Sequence, residues 1–185
     1  YSIREELLNL GMLMKIIKKS GIAILLAVLF VGCKDKSEII TGPFLIKEGV
    51  LISQKSGDSV TGIAEWYYEN GQLMERTEYR NGVMHGLSES YHPNGQLSYR
   101  GKYSSDIQIG VSEYYEDDGY LKVKYIPAGE LLIHKFYTKA GNIDSIEPYK
   151  NGKLHGMLEN FDSEGNLKEK KCYQDGEKVD ISLCN

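Results

Sequence analysis

The sequence predicts an all-β protein, one elongated antiparallel sheet of successive hairpins with an N-terminal signal helix ahead of it. Three observations predict it. Glycine recurs at Gly71, Gly95, Gly119, Gly141 and Gly165, at intervals of 24, 24, 22 and 24 residues, and a period of this size marks a repeat array. Four residues before each glycine stands Tyr67, Tyr91, Tyr115, Tyr137 or Phe161, and two residues after it stands Leu73, Leu97, Leu121, Ile143 or Leu167. Polar residues alternate with these, so each unit reads as two short strands around a turn.

In chain order, residues 1–13 read as an upstream extension, with Met12 or Met14 as the natural start. Residues 14–32 carry Lys15, Lys18 and Lys19, then an apolar run from Gly21 to Val31. That is a basic stretch and an apolar core too short for a membrane span, the pattern of a secretory signal. Leu29 to Cys33 resembles a bacterial lipobox, with Phe30 bulkier than the usual leucine, so Cys33 is the expected lipidated first residue of the mature chain; an uncleaved anchor, or a plain signal peptide with Cys33 incidental, is the alternative. Two or three acyl chains suffice for stable anchoring. Residues 33–43 read as a charged tether ending in the breakers Thr41-Gly42-Pro43, and residues 44–61 as a degenerate first repeat. The array occupies residues 62–176, and residues 177–185 read as a closing strand.

The turn follows from what is constant. A two-residue loop of type I′ needs positive φ at both central positions, which Ala140 and Glu164 resist. A three-residue loop closed by a left-handed glycine needs only the glycine, and it suits Pro93 in its first slot. It also sets Tyr91 opposite Leu97, and likewise in every unit, an aromatic against an aliphatic.

Strict alternation from that turn assigns two faces. One carries the repeating aromatic and aliphatic columns together with Glu65, Glu89, Glu113 and Glu159. The other varies from unit to unit and is the expected partner surface, with Trp66, Tyr68, Tyr114 and Phe136 as anchors; those rings could equally pack under a second layer or a dimer partner. The same alternation puts Arg76, Arg100, Lys124 and Lys170 on the variable face, either as a contact stripe or as a solvated strand face.

No catalytic constellation emerges. Equivalent carboxylates in successive units fall about 10 Å apart, beyond the spacing of a glycosidase pair, and a structural ladder is the simpler reading. His85 and His155 stand three units apart and cannot share a metal; each is expected to satisfy the Asn-Gly turn before it. No phosphate loop, nucleophile elbow or zinc-protease motif is present, so neither cofactor nor metal is expected. Of the 22 basic and 26 acidic residues, 18 and 24 follow Cys33. A net charge of −6 argues against a nucleic-acid surface. With Cys33 lipidated, Cys172 and Cys184 remain as either a disulfide or two free thiols.

The segments Asn81-Gly82-Val83-Met84-His85-Gly86 and Asn151-Gly152-Lys153-Leu154-His155-Gly156, each followed by a strand, an aromatic and a turn glycine, resemble the bacterial variant of the MORN repeat over roughly 62–176. The unit from Gly119 to Pro148 departs from the pattern, with Pro127-Ala128-Gly129 at its end. The resemblance implies a binding scaffold without catalytic residues, and many bacterial members are labelled antitoxins. The expectation is a non-enzymatic envelope lipoprotein, on the outer membrane or cell surface, that binds a protein, in the sharper form a toxin. The alternative is a structural protein contacting anionic lipid or wall polymer. A monomer or an edge-paired homodimer fits either.

Overall fold

A computed structural model describes residues 38–184. The upstream extension, the signal stretch, Cys33 and the tether as far as Ser37 lie outside the described residues. The regular structure of the described residues is almost entirely strand. Its N-terminal part holds β1 (Ile39–Thr41), β2 (Phe44–Lys47) and β3 (Val50–Ser53). The array then runs through β4 (Gly62–Tyr67), β5 (Leu73–Arg80), β6 (Val83–Tyr91), β7 (Leu97–Ser104), β8 (Ile107–Tyr115), β9 (Leu121–Ala128), β10 (Leu131–Tyr137) and β11 (Ile143–Lys150). It ends in β12 (Lys153–Leu154), β13 (Gly156–Phe161), β14 (Leu167–Gln174) and β15 (Glu177–Val179), with a 3-10 turn at Ile181–Cys184.

From β4 onward each strand pairs antiparallel with the next, β12 and β13 sharing the edge of β11. In all five units the aromatic stands opposite the aliphatic: Tyr67 with Leu73, Tyr91 with Leu97, Tyr115 with Leu121, Tyr137 with Ile143 and Phe161 with Leu167. The turn that fixes this register is the three-residue one. In the first unit Gly71, at φ 82, donates its N–H to the Tyr68 carbonyl at 2.9 Å, and Tyr68 donates to the Gln72 carbonyl at 2.8 Å. Successive units are joined instead by two-residue loops, among them Asn81-Gly82 and Asn151-Gly152, with positive φ at both positions. That is the type I′ geometry whose twist matches the flanking strands.

Two features differ from the single antiparallel sheet the sequence suggests. The sheet is mixed, because β1 joins the free edge of β4 in parallel, Ile39 opposite Ile63. Parallel neighbours need a crossover between them, and β2 with β3 supplies it. The Ile63 N–H donates to the Glu38 carbonyl at 2.8 Å, and a Cβ on Gly62 would meet that same oxygen, so only glycine fits there. Ile39–Thr41, read from sequence as part of the tether, is therefore strand.

The second difference concerns residues 44–61. Rather than beginning the array, β2 and β3 form a separate two-stranded sheet joined by the two-residue loop Glu48-Gly49. They fold onto one face of the first unit, where Leu51, Val60 and Ala64 are buried together with Ile40, Phe44, Trp66 and Tyr79 around them. At the other end β15 is followed by the 3-10 turn, which a disulfide between Cys172 and Cys184 holds against β14, Cα atoms 5.8 Å apart.

Candidate binding surface

The faces are set by a bulge that the sequence pattern does not show. In each unit one residue of the second strand, Met74, Ser98, Lys122, Asp144 or Lys168, is left without a partner, and the register shifts there. One extra residue reverses which face every later side chain occupies. Arg76 and Arg100, placed by strict alternation on the variable face, lie instead on the face of the glutamates. Lys124 and Lys170 move with them.

The consequence is a row of mostly charged residues across the sheet. Cross-strand register lines up Glu65, Arg76, Glu89, Arg100, Glu113, Lys124, Lys135, Ile146, Glu159 and Lys170 on successive strands. Arg76 Nε lies 3.2 Å from Glu65, Arg100 Nε 3.0 Å from Glu89, Lys124 Nζ 2.7 Å from Glu113 and Lys170 Nζ 2.6 Å from Glu159. The repeating tyrosine of three units donates its hydroxyl to the same carboxylates, Tyr67 to Glu65, Tyr91 to Glu89 and Tyr115 to Glu113. Lys124 and Tyr115 together hold the Glu113 carboxyl below its usual range. A carboxylate is wanted on this face because it neutralises a cation on the next strand and accepts a hydroxyl from its own strand.

The same bulge brings Tyr79, Tyr103, Tyr149 and Tyr173 onto the opposite face, each across from a residue at the start of its unit: Gly62, Gly86, Leu132 and Gly156. There they join the rings that vary. Tyr99 and Tyr114 have centroids 4.8 Å apart, Tyr114 and Tyr125 5.3 Å, Tyr125 and His134 4.4 Å, and His134 stacks on Tyr149 at 4.2 Å. The run crosses five strands. Beneath it the small side chains of Ser88, Ser112, Val123 and Ser145 are buried, and Thr77 meets Ser88 at 2.7 Å. Burial pushes the Tyr99 hydroxyl well above its usual range, helped by its hydrogen bond with Tyr103, and lowers His134 against a smaller opposing pull from Glu147. Gly101 is required by this packing: a Cβ there would collide with the Tyr99 ring.

The residues expected as anchors divide. Tyr114 is 39% exposed and Phe136 half-buried, both within reach of the aromatic run, with His134 and Phe136 centroids 6.3 Å apart. Trp66 is covered: Phe44 of the β2–β3 hairpin lies 5.0 Å from it and Tyr79 6.2 Å. Tyr68 is committed too, its hydroxyl donating to the Tyr91 carbonyl of the next unit at 2.7 Å, as His92 bonds the Tyr115 carbonyl at 2.9 Å. Tyr125, His134 and Tyr149 also belong to the surface; strict alternation places His134 on the variable face with Phe136, but puts Tyr125 and Tyr149 on the other one. Next to them an open cleft of about 620 Å³ is lined by Pro127, Leu132, His134 and Tyr149. His155 does not serve the turn before it: its Nδ1 accepts the Asp175 N–H of the following turn at 3.3 Å.

Among the described residues no group of three or more His, Cys, Asp or Glu side chains is placed to hold a metal, and no helix is long and apolar enough to cross a membrane. Fold and surface together define a hairpin-repeat scaffold. Residues 60–81, 84–104 and 154–175 match the model of the MORN repeat variant, which supports the MORN-repeat family for this chain. No curated protein matches it. Among solved structures it is similar, at 12% identity and a TM-score of 0.25, to the crystal structure of GtfA/B complex bound to UDP and GlcNAc, over 68% of this chain. The chain spans 23% of that protein, and a likeness at this TM-score assigns nothing to it.

Proposed function

We propose that this chain is a non-enzymatic scaffold that binds a protein partner through the aromatic face, held outside the cytoplasm by lipid on Cys33. The observation that carries the reading is the run Tyr99, Tyr114, Tyr125, His134 and Tyr149, with Tyr114 39% exposed beyond the hairpin that covers Trp66. Exposed aromatics on a rigid sheet lose little entropy on binding and are typical interface anchors. The sharper form is an antitoxin or immunity protein covering a toxin encoded nearby.

A non-enzymatic reading is supported by the carboxylates themselves. Glu65, Glu89, Glu113 and Glu159 are each paired with a cation of the neighbouring strand, a structural use of the carboxylate that leaves it already partnered within the sheet. The pairing of Arg76 and Arg100 also weakens the alternative of an anionic lipid or wall polymer as partner, because their charge is already met within the sheet.

The test is an affinity pull-down with the mature chain as bait and the products of neighbouring genes as candidates. One stoichiometric protein is expected, with Tyr114→Ala and Phe136→Ala each weakening it by more than about 1 kcal/mol. Recovery of lipid or wall fragments alone, or full binding by both variants, would overturn the reading. Mass spectrometry for acyl chains on Cys33 tests the anchor separately.

A further inference from the structure

The charged row is broken at one place, and the break lies on the face opposite the aromatic run. Four units place a glutamate six residues before the turn glycine; the fourth places Lys135 there. Lys135 stands directly between Lys124 and Ile146. Lys124 is paired with Glu113 at 2.7 Å, whereas Lys135 has no carboxylate within ion-pair distance among the described residues. Two cations directly opposed across strands repel each other. The repeat thus supplies its own anion in every unit except this one.

The surroundings differ as well. The adjoining row on the same face carries charge in the first two units, Glu78 opposite Ile63 and Lys102 opposite Leu87. In the fourth it is apolar, with Ile133 between Ile126 and Pro148. Val111, two residues before Glu113 on β8, is 46% exposed. A single unmatched cation therefore sits beside apolar surface on a half-exposed sheet face.

We infer that Lys135 and this apolar row form a second binding site, which takes an acidic side chain of a protein segment with apolar residues beside it. The incoming carboxylate would supply Lys135 with the anion that the repeat supplies in the other units, and the flanking residues would cover Ile126, Ile133 and Ile146. Charge complementarity selects the partner: a basic segment would set another cation against the unmatched Lys135, and a neutral one would leave Lys135 unmatched. The site does not depend on the aromatic face.

The test uses the mature chain and two synthetic peptides with leucine and phenylalanine flanks, one centred on glutamate and the other on glutamine. The glutamate peptide should bind about tenfold or more tightly than the glutamine one. Lys135→Glu restores the residue of the other units, so it should fold with an unchanged or higher melting temperature and lose that preference. Tyr114→Ala should bind the peptide like the parent, which separates this site from the aromatic face. Equal binding of the two peptides, binding of neither, or unaltered binding by Lys135→Glu would overturn the inference. Inorganic phosphate binding at Lys135 as tightly as the peptide would reassign the site to a free anion and overturn it as well.

Discussion

Arg100 lies directly across from Glu89 on the neighbouring strand, its Nε 3.0 Å from the carboxylate. On the other side the same glutamate faces Arg76, and from its own strand Tyr91 donates a hydroxyl to it at 3.0 Å. An exposed ion pair contributes little by itself, but here one carboxylate pairs with Arg100 and accepts a phenol, with Arg76 in register on its other side.

Replacing that carboxylate should cost more than a surface pair. Glu89→Ala is expected to lower the unfolding free energy by about 1–2 kcal/mol, since it takes from Arg100 the carboxylate it pairs with and from the Tyr91 hydroxyl its acceptor. Urea unfolding measures it, and a change within error would mean the row contributes nothing to stability.

Acid should weaken the fold in two steps. Burial holds His134 below its ordinary value of 6.5, and Lys124 with Tyr115 holds Glu113 below 4.5. For both, the unfolded chain binds protons more readily than the folded one, so stability is complete above the unfolded value and is lost as pH falls through the folded one. Melting temperatures should decline below about pH 6.5 and again below about pH 4.5. His134→Gln should remove the first decline; an unchanged profile in that variant would exclude His134 as its source.

The disulfide between Cys172 and Cys184 spans 12 residues, a loop whose closure is worth about 3 kcal/mol in the chain-entropy model. Cys184→Ser, or reductant added to the parent, should lower stability by about that amount, and reductant should have no further effect on the variant. Parent and variant with equal urea midpoints would contradict it.

Phe44 packs on Trp66, the only tryptophan in the chain. Phe44→Ala should therefore shift the emission to longer wavelength as the hairpin loosens, and cost about 2–3 kcal/mol, below a fully buried Phe→Ala because Phe44 is only half-buried. Partner binding should survive, because Trp66 belongs to the packing of the cap. An unshifted emission would show that the hairpin does not depend on this contact.

Gly101→Ala tests the aromatic run from beneath. The added methyl must displace the Tyr99 ring and break its 2.8 Å contact with the Tyr103 hydroxyl. A loss of about 1–3 kcal/mol is expected from the overpacking, with weaker partner binding than the stability loss explains. Binding that matches the parent would exclude Tyr99 from the contact surface.

The units, their turn and the pairing of Tyr91 with Leu97 were legible because each is local. A left-handed glycine closes a three-residue loop, and that loop alone fixes which residues stand opposite. The faces were not legible beyond Leu73, because the unpaired Met74 and its equivalents vary in type and leave no signature. Alternation alone therefore carries Arg76 to the wrong side. The glutamate column was visible, but its purpose waited on that reversal.

Sequence by itself determined the all-β class, the repeat, the in-unit turn and the register at each hairpin, since these depend on residues within one unit. Tertiary structure decided what depends on distant segments meeting. The parallel edge strand at Ile39 and the hairpin laid over Trp66 arise because Leu51, Val60 and Ala64, apart in the chain, bury one another. The alternating charged row and the aromatic run of the opposite face likewise exist only once successive strands are set side by side, because no unit contains more than a fragment of either.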